Sequence, residues 1–412
     1  MASSAFTGPL RRKKFRRLVT AQFVAELGDG ITLVALPLYV YARTESELLT
    51  SLTFAIELGL GIILALVGGV FADTFNRQRV LLVSYVVRST LLTLAFLVDP
   101  LFLAISLGVS ARALGQGDNP SFDALIPGMA EGDLQEVVAL RRLIQAVSMT
   151  LGPAVGAMAV YLIGPRSSLA LNAATFVLAF CVLITVRGLD GDYEQRKASR
   201  HGMAFGDAAR DLFSGMAVVT RTPGVRRMVY YNILTMATVG LLMASAVVFY
   251  ERDLDAADYW YGLAIGAFGI GNAVGLGVAG SRSLTMPLPR IALIGAPIYA
   301  VCCAIGGAIT EPWVLALSWF LWGIALGPEF VRSETFFVSR IVRAQHGRAF
   351  AGLGVAATLG MTLGFAVSGP LLEAYEARWV ILSTGVFTLG LGIFWIGPAR
   401  EGDAWPGTDP VD

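Results

Sequence analysis

Twelve apolar stretches, each long enough to cross a lipid bilayer as a helix, follow one another along the 412 residues of this chain. A hydrocarbon core about 30 Å thick needs about 20 mostly apolar residues in helical form. Inside it every backbone amide must be satisfied within the segment, so runs of this length are read as helices. The stretches lie near 18–42, 50–72, 79–98, 101–124, 137–163 and 168–187, then near 228–250, 259–280, 290–309, 312–338, 347–370 and 378–398. The fourth and tenth are the least sharply drawn, because their C-terminal ends are polar. Composition points the same way. Soluble domains carry about 25% charged and about 45–50% apolar residues, whereas this chain has 15% and 55%. Disordered and soluble globular chains are excluded.

Charge narrows the classes further. With Lys+Arg 31 against Asp+Glu 30 there is no polyelectrolyte surface for nucleic acid. Cys181, Cys302 and Cys303 all lie in apolar runs, and His201 and His346 fall in polar connectors. Neither a disulfide framework nor a metal-ligand spacing is present, and no cofactor is expected. The basic cluster Arg11, Arg12, Lys13, Lys14, Arg16 and Arg17 precedes an apolar stretch of more than 20 residues that carries Glu26 and Asp29 and has no small-residue cleavage site. It is read as the start of an uncleaved first helix. Four basic residues (Arg43, Arg166, Arg252, Arg378) fall in outer loops if the N-terminus is inside, three (Arg88, Arg112, Arg332) lie within spans, and the other 24 gather on the inner side. That bias predicts both termini to be cytoplasmic.

The longest polar run, from Arg187 to about Gly224, divides the chain into six spans and six. It is read as a linker with an amphipathic surface helix near 205–219. The halves echo one another. Phe15-Arg16-Arg17-Leu18-Val19 returns as Val225-Arg226-Arg227-Met228-Val229, Pro120 as Pro328, and Gly69 as Gly280, at offsets of 210, 208 and 211 residues. Three matches at nearly one offset argue for a duplicated six-helix unit. Because six is even, both copies keep one orientation, as parallel repeats about an axis along the membrane normal. The expected fold is therefore all-α: twelve transmembrane helices in two six-helix bundles, 1–187 and 225–400, related by a pseudo-two-fold axis around a central cavity. A cytoplasmic linker (188–224) joins them and a cytoplasmic tail (401–412) follows.

Charged residues at mid-bilayer cost about 2.5–3.5 kcal/mol on insertion scales and usually face a bundle interior or an ion path. At about 1.5 Å per residue, Glu26 and Asp29 sit about 12 and 16 Å into the first helix, on one face, and Arg112 lies at similar depth in the fourth. These three are proton-coupling candidates, with Asp29 preferred over Glu26; the alternative is an ion pair that only locks helices together. Glu57 and Arg88 are candidates to line the substrate cavity. For Glu57 the alternative is snorkelling in an outer vestibule, and for Arg88 a helix–helix contact. Asp118, Asp123, Glu329, Arg332 and Glu334 fall near the cytoplasmic ends of spans four and ten, where an interfacial gate is favoured over substrate contact.

Two short motifs carry a resemblance. After the second span stands Gly69-Val70-Phe71-Ala72-Asp73-Thr74-Phe75-Asn76-Arg77-Gln78-Arg79, where Gly69 is read as permitting tight packing and Asn76 as suited to a left-handed turn. In the fifth span stands Gly152-Pro153-Ala154-Val155-Gly156-Ala157, where proline bends the helix and small residues allow close approach. Together with Gly28-Asp29-Gly30 and Val34-Ala35-Leu36-Pro37 in the first span, these make the whole chain resemble the major facilitator superfamily, in its twelve-helix multidrug and natural-product efflux branch. The match at the first motif departs from the family at Thr74 and Asn76, and Ala157 stands for the last glycine of the second. The resemblance implies that Gly69, Asp73, Arg77 and Arg79 form a conformational latch with Asp123 as acidic partner. It further implies that Arg112 takes part in proton transfer, and that Gly152, Pro153 and Gly156 form the helix-bend element that goes with export.

The function expected from these readings is secondary active export of an amphipathic small molecule by proton antiport with alternating access. Partners are the substrate, protons and the lipid bilayer, and the chain is expected to act as a monomer. An importer or lipid carrier of the same fold is the main alternative, ahead of a membrane receptor or intramembrane enzyme. Only Lys13, Lys14 and Lys197 are present and none follows a phosphate-cradling glycine, so an ATP-driven pump is excluded. No nucleophile–histidine pair lies in the membrane, so an enzyme is not expected. The excess of Arg over Lys with abundant Ala and Gly suggests a GC-rich bacterial genome. The cargo is expected to be drug-, antibiotic- or siderophore-like, and the site the cytoplasmic membrane.

Overall fold

The computed structural model describes residues 11–129, 134–191, 193, 215–217, 219–222, 224–257, 259–280, 288–342 and 345–394. Among them are twelve helices of 18 residues or more: α1 (Lys13–Thr44), α2 (Glu47–Thr74), α3 (Arg77–Leu97), α4 (Leu101–Leu125), α5 (Leu134–Ile163), α6 (Pro165–Ile184), α7 (Val225–Val248), α8 (Tyr259–Gly280), α9 (Leu288–Ala308), α10 (Pro312–Arg340), α11 (His346–Ala374) and α12 (Ala377–Phe394). Ten are long and apolar enough to cross a membrane, and α12 contributes a shorter apolar stretch, Ala377–Gly392. The remaining helix, α4, contains Arg112, Asp118 and Asp123. The surface helix expected near 205–219 lies mostly outside the described residues.

The helix ends follow local chemistry. Pro165 and Pro312 open α6 and α10 at the first turn, where a missing N–H costs nothing. Asn76 caps α3: its side chain accepts from the Arg79 amide at 3.1 Å, with φ −65° and ψ 117°. That is extended backbone, as an N-cap requires, and not the left-handed turn expected from sequence. Gly164 carries φ +81° at the α5–α6 corner, where a side chain would be strained.

The described helices fall into two compact units. One holds Met1–Arg43 and Gly59–Ala209, the other Thr44–Leu58 and Arg210–Asp412. The first residues of α2 thus pack with the second unit. There Phe54 stacks on Phe365 with centroids 4.4 Å apart, Leu48 fills the space above Gly369, and Arg252 donates to Glu47 at 2.7 Å.

Within each unit the same helices cross at the same kind of place. In the first, Gly30 of α1 meets Gly152 and Gly156 of α5 so closely that a Cβ on Gly30 would stand 2.4 Å from the Gly152 Cα. In the second, Gly240 of α7 meets Met361 of α11, while Gly360 and Gly364 meet Ile233 and Ala237. Gly30 and Gly240 are 210 residues apart, and Gly152 and Gly360, like Gly156 and Gly364, are 208 apart. A second crossing repeats too: Gly68 of α2 against Gly117 of α4, and Gly271 and Gly275 of α8 against Gly323 and Gly327 of α10. Without water between helices, association rests on close backbone approach, and only glycine allows it here. Sequence gave the tight packing beside the α2–α3 turn to Gly69, but a Cβ there would meet nothing; Gly68 makes the contact.

The helices α1 and α7 are the most covered, with 67% of each apolar window buried against at most 44% for the other spans. Large apolar side chains such as Phe102, Val301, Leu363 and Val386 stand exposed, as side chains solvated by acyl chains rather than water would.

Enlarging the crossing glycines is expected to be costly. Gly156→Val would drive a branched side chain into the Ile31 backbone, whose Cα a Cβ already approaches to 2.9 Å. Overpacking of this kind costs about 1–3 kcal/mol. A lower melting temperature of the detergent-purified protein is expected for this variant, and an unchanged one for Gly69→Ala.

Candidate functional site

The first unit holds a polar cavity of about 220 Å³ between α1, α3, α4 and α5. Arg88 of α3, only 2% exposed, is set in its wall. The guanidinium divides its donors among three acceptors. Nε reaches the Ala111 carbonyl at 2.8 Å, Nη1 the Asp118 carboxylate at 3.0 Å, and Nη2 the Asp29 carboxylate. Its face lies over the Phe176 ring, 4.1 Å from the centroid. The planar fork of arginine suits this task, since it presents several donors in fixed directions. Gly115 makes the room: a Cβ there would meet Nη2 at 2.8 Å.

The two carboxylates differ in access. The Asp118 side chain is 6% exposed and the Asp29 side chain 32%, so Asp29 is the one open to the cavity. Arg112 lies against the same residue from α4, donating to the Asp29 main-chain carbonyl at 2.5 Å. Depth along the helices brought Asp29 and Arg112 together; the structure gives the carboxylate to Arg88 and the carbonyl to Arg112. Asp118, which sequence placed at an interfacial gate, is buried beside them.

Glu26 lies one turn toward the N-terminus. Arg141 of α5 approaches it at 3.2 Å, and the Gln22 amide donates to it at 3.1 Å. Tyr85 donates to Gln22 at 3.0 Å, tying α3 to α1. Arg141 also lies 3.5 Å from Asp123 and over the Phe122 ring. Arg141, Gln22 and Tyr85 carried no sequence signal of their own, because each matters only through partners from distant parts of the chain.

The α2–α3 turn sits at the end of the same unit. Arg77 donates from its amide to Asp190 at 3.0 Å, and from its guanidinium to the carbonyls of Ala72 and Ala124 at 3.2 and 2.8 Å. The turn is thereby bound to the last residues of α4. Asp73 is partly buried in the last turn of α2, and Arg79 is exposed. Glu57 is buried, 6% exposed, in the part of α2 that packs with the second unit; it is not among the residues lining the Arg88 cavity. The bend element meets α1 at Gly30 and Ile31, next to Asp29, and Pro153 lines the cavity.

Comparison with known proteins accords with this architecture. Residues 3–399 match the family described as transmembrane secretion effector. The multidrug efflux pump Tap of Mycobacterium tuberculosis is 24% identical over 425 residues, covering 95% of each chain. The MFS-type transporter YfiS of Bacillus subtilis is 22% identical over 398 residues, covering 93% of this chain and 92% of its own. Among solved structures, a POT family transporter in complex with 5-aminolevulinic acid superposes with a TM-score of 0.76 at 10% identity, over 94% of this chain and 96% of that one. The nucleoside transporter NupG gives 0.70 at 14% identity, over 93% and 98%. At such identities the structures speak for the fold. The chain is a multi-pass membrane transporter and belongs to the transmembrane secretion effector family of the major facilitator superfamily.

Proposed function

We propose that this transporter exports amphipathic small molecules by proton antiport. The observation that carries the reading is one buried guanidinium shared between a buried carboxylate, Asp118, and a cavity-exposed one, Asp29. When Asp29 is ionised, Arg88 is held by both acids. When Asp29 takes a proton it loses its charge-assisted bond, and Arg88 is left to Asp118 and the Ala111 carbonyl. Because α1 meets α5 at the next residue, Gly30, a change in how Asp29 is held is felt at the bend around Pro153. Arg112, on the Asp29 carbonyl, positions the residue; Glu26, held by Arg141, is the secondary carrier.

Export is supported by the family and by relatives named as multidrug efflux pumps. In this reading the halves 1–187 and 225–400 alternate around the substrate, with 188–224 as linker and 401–412 as tail. Both termini are cytoplasmic, in the cytoplasmic membrane of a bacterium, and the protein works as a monomer. The Asp73–Arg79 turn serves as the latch through the Arg77 contacts to the end of α4.

Everted vesicles test the coupling. A lipophilic fluorescent dye should accumulate in vesicles bearing the wild-type protein when the lumen is acidic, and the accumulation should vanish on collapse of the proton gradient. Asp29→Asn is expected to lower gradient-driven uptake at least about tenfold, while dye binding to the purified protein persists. Gradient-dependent transport at the wild-type rate in that variant would remove Asp29 from the mechanism.

A second expectation concerns the fork. Arg88→Lys keeps the charge but offers a point donor that cannot serve three acceptors in one plane. A lost hydrogen bond to a charged group is worth about 1.5–3 kcal/mol, so initial transport rates should fall by about tenfold or more with the fold retained. Arg88→Ala leaves two carboxylates unpaired and, at about 3–5 kcal/mol for a broken buried pair, should yield little folded protein on gel filtration.

A further inference from the structure

The second unit contains a half-buried carboxylate, well inside its span, that the mechanism above does not use. Glu329 lies on α10, eight residues or about 12 Å inside the end of the apolar span at Phe337. Among the described residues it forms no ion pair. Its hydrogen-bond partner is the hydroxyl of Tyr231 on α7, itself 4% exposed, and Gly295 on α9 stands beside it, where a Cβ would be in ordinary contact 3.7 Å from Oε2. The contrast with the first unit is direct: there Asp29 and Asp118 lean on Arg88, and Glu26 on Arg141.

Two cavities of about 20 Å³ flank the carboxyl, and Glu329, Tyr231, Thr235 and Leu326 line both. Each has room for about one water molecule and none for an organic ligand. Their walls carry the polar atoms such a water needs. The Thr235 hydroxyl, on a residue 8% exposed, and the Asn232 side-chain oxygen Oδ1 are buried without a partner; Thr238 and Thr388 line one cavity and Ser333 the other.

The repeat gives the site an origin. At the offsets fixed by the crossing glycines and by Pro120 and Pro328, Asp29 corresponds to Val239 and Asp118 to Leu326, and both line the first of these cavities. The counterpart of Arg88 falls in Ala296–Tyr299, whose two ends line it as well. The second unit thus holds its cavity at the same place as the first, with the charged trio replaced by apolar and aromatic residues and one acid added beside Pro328.

A lone carboxylate is costly at this depth. Among the described residues no basic side chain forms an ion pair with it, and the flanking cavities have no room for an organic cation, so the species that fits is a proton delivered by water. We propose that Glu329 is a second proton-exchange site: a cavity water donates a proton to the carboxylate oxygen in one phase of the cycle, and the neutral acid returns it to water in another. The groups that face it are Tyr231 on α7 and Tyr299 on α9, with Thr388 on α12; Arg332 and Glu334 follow on its own helix. Its part in transport rests on the proton-antiport reading, while its exchange of a proton does not.

Infrared difference spectroscopy on the purified full-length protein in lipid, across a pH step, reads proton exchange without a substrate. Glu329→Gln should remove one titrating carboxylic-acid band that persists in Asp29→Asn, and Glu329→Asp should shift the band and keep it. A spectrum unchanged by Glu329→Gln overturns the inference. In proteoliposomes with ethidium as probe, Glu329→Gln should keep gradient-driven export but lower the steady-state dye ratio about tenfold per pH unit of gradient, the worth of one proton. Wild-type transport indifferent to the gradient would sink the antiport reading and leave the infrared result to decide Glu329. A coupled wild type with an unchanged dye ratio in Glu329→Gln would overturn the two-proton cycle.

Discussion

The price of a charge in a medium without water governs how the polar residues of this protein are arranged. A guanidinium and its carboxylates cannot be left solvated at mid-membrane, so they must find one another, and the geometry of the pairing becomes the geometry of the site. Arg88 meets this demand with three acceptors and an aromatic face. Two acids share this one base, and Asp29 is the member with more access to the cavity. Arg112 and Arg141 complete the balance from either side. Asp29 is the exposed member of this cluster, and the coupling proposed above rests on that access.

Holding those groups in register requires helices that cannot drift, in a solvent that supplies no hydrophobic force between them. The glycine crossings answer this. In the first unit α1 and α5 touch backbone to backbone one residue from Asp29, and α2 and α4 touch at Gly117, one residue from Asp118. The closest packing therefore stands beside the costliest charges. The same crossings recur in the second unit, although the polar residues of the two halves differ.

Sequence gave a direct view of whatever depends on solvent and local chemistry. The twelve spans follow from hydropathy, and the observed helices differ from them chiefly at their ends. There Lys13–Arg17 continues α1 beyond the apolar run, and caps such as Asn76 set the boundary instead of hydropathy. Depth along a helix put Glu26, Asp29 and Arg112 in one layer. What depth does not carry is azimuth, so it could not tell that Arg88 would face Asp29 and Asp118, or that Arg141 would face Glu26. Nor could a one-dimensional reading rank glycines, since Gly68 and Gly69 are indistinguishable until the path of α4 is known. Glu329 was placed near the membrane edge by the polar end of its span, although α10 runs on to Arg340 and carries it inside.

The duplicated plan also explains why the two halves need not perform the same task. A symmetric pair of identical charged clusters would double the insertion cost and give two equivalent proton sites, with nothing to set their order. Here one half keeps carboxylates held by arginine, and, among the described residues, the other keeps a carboxyl held by a hydroxyl beside water-sized cavities. One environment sets its acids against a guanidinium, the other sets its acid against a tyrosine hydroxyl. In the proton-antiport reading proposed above, two acids held so differently would exchange their protons at different points of the cycle, an order that two copies of either site would lack.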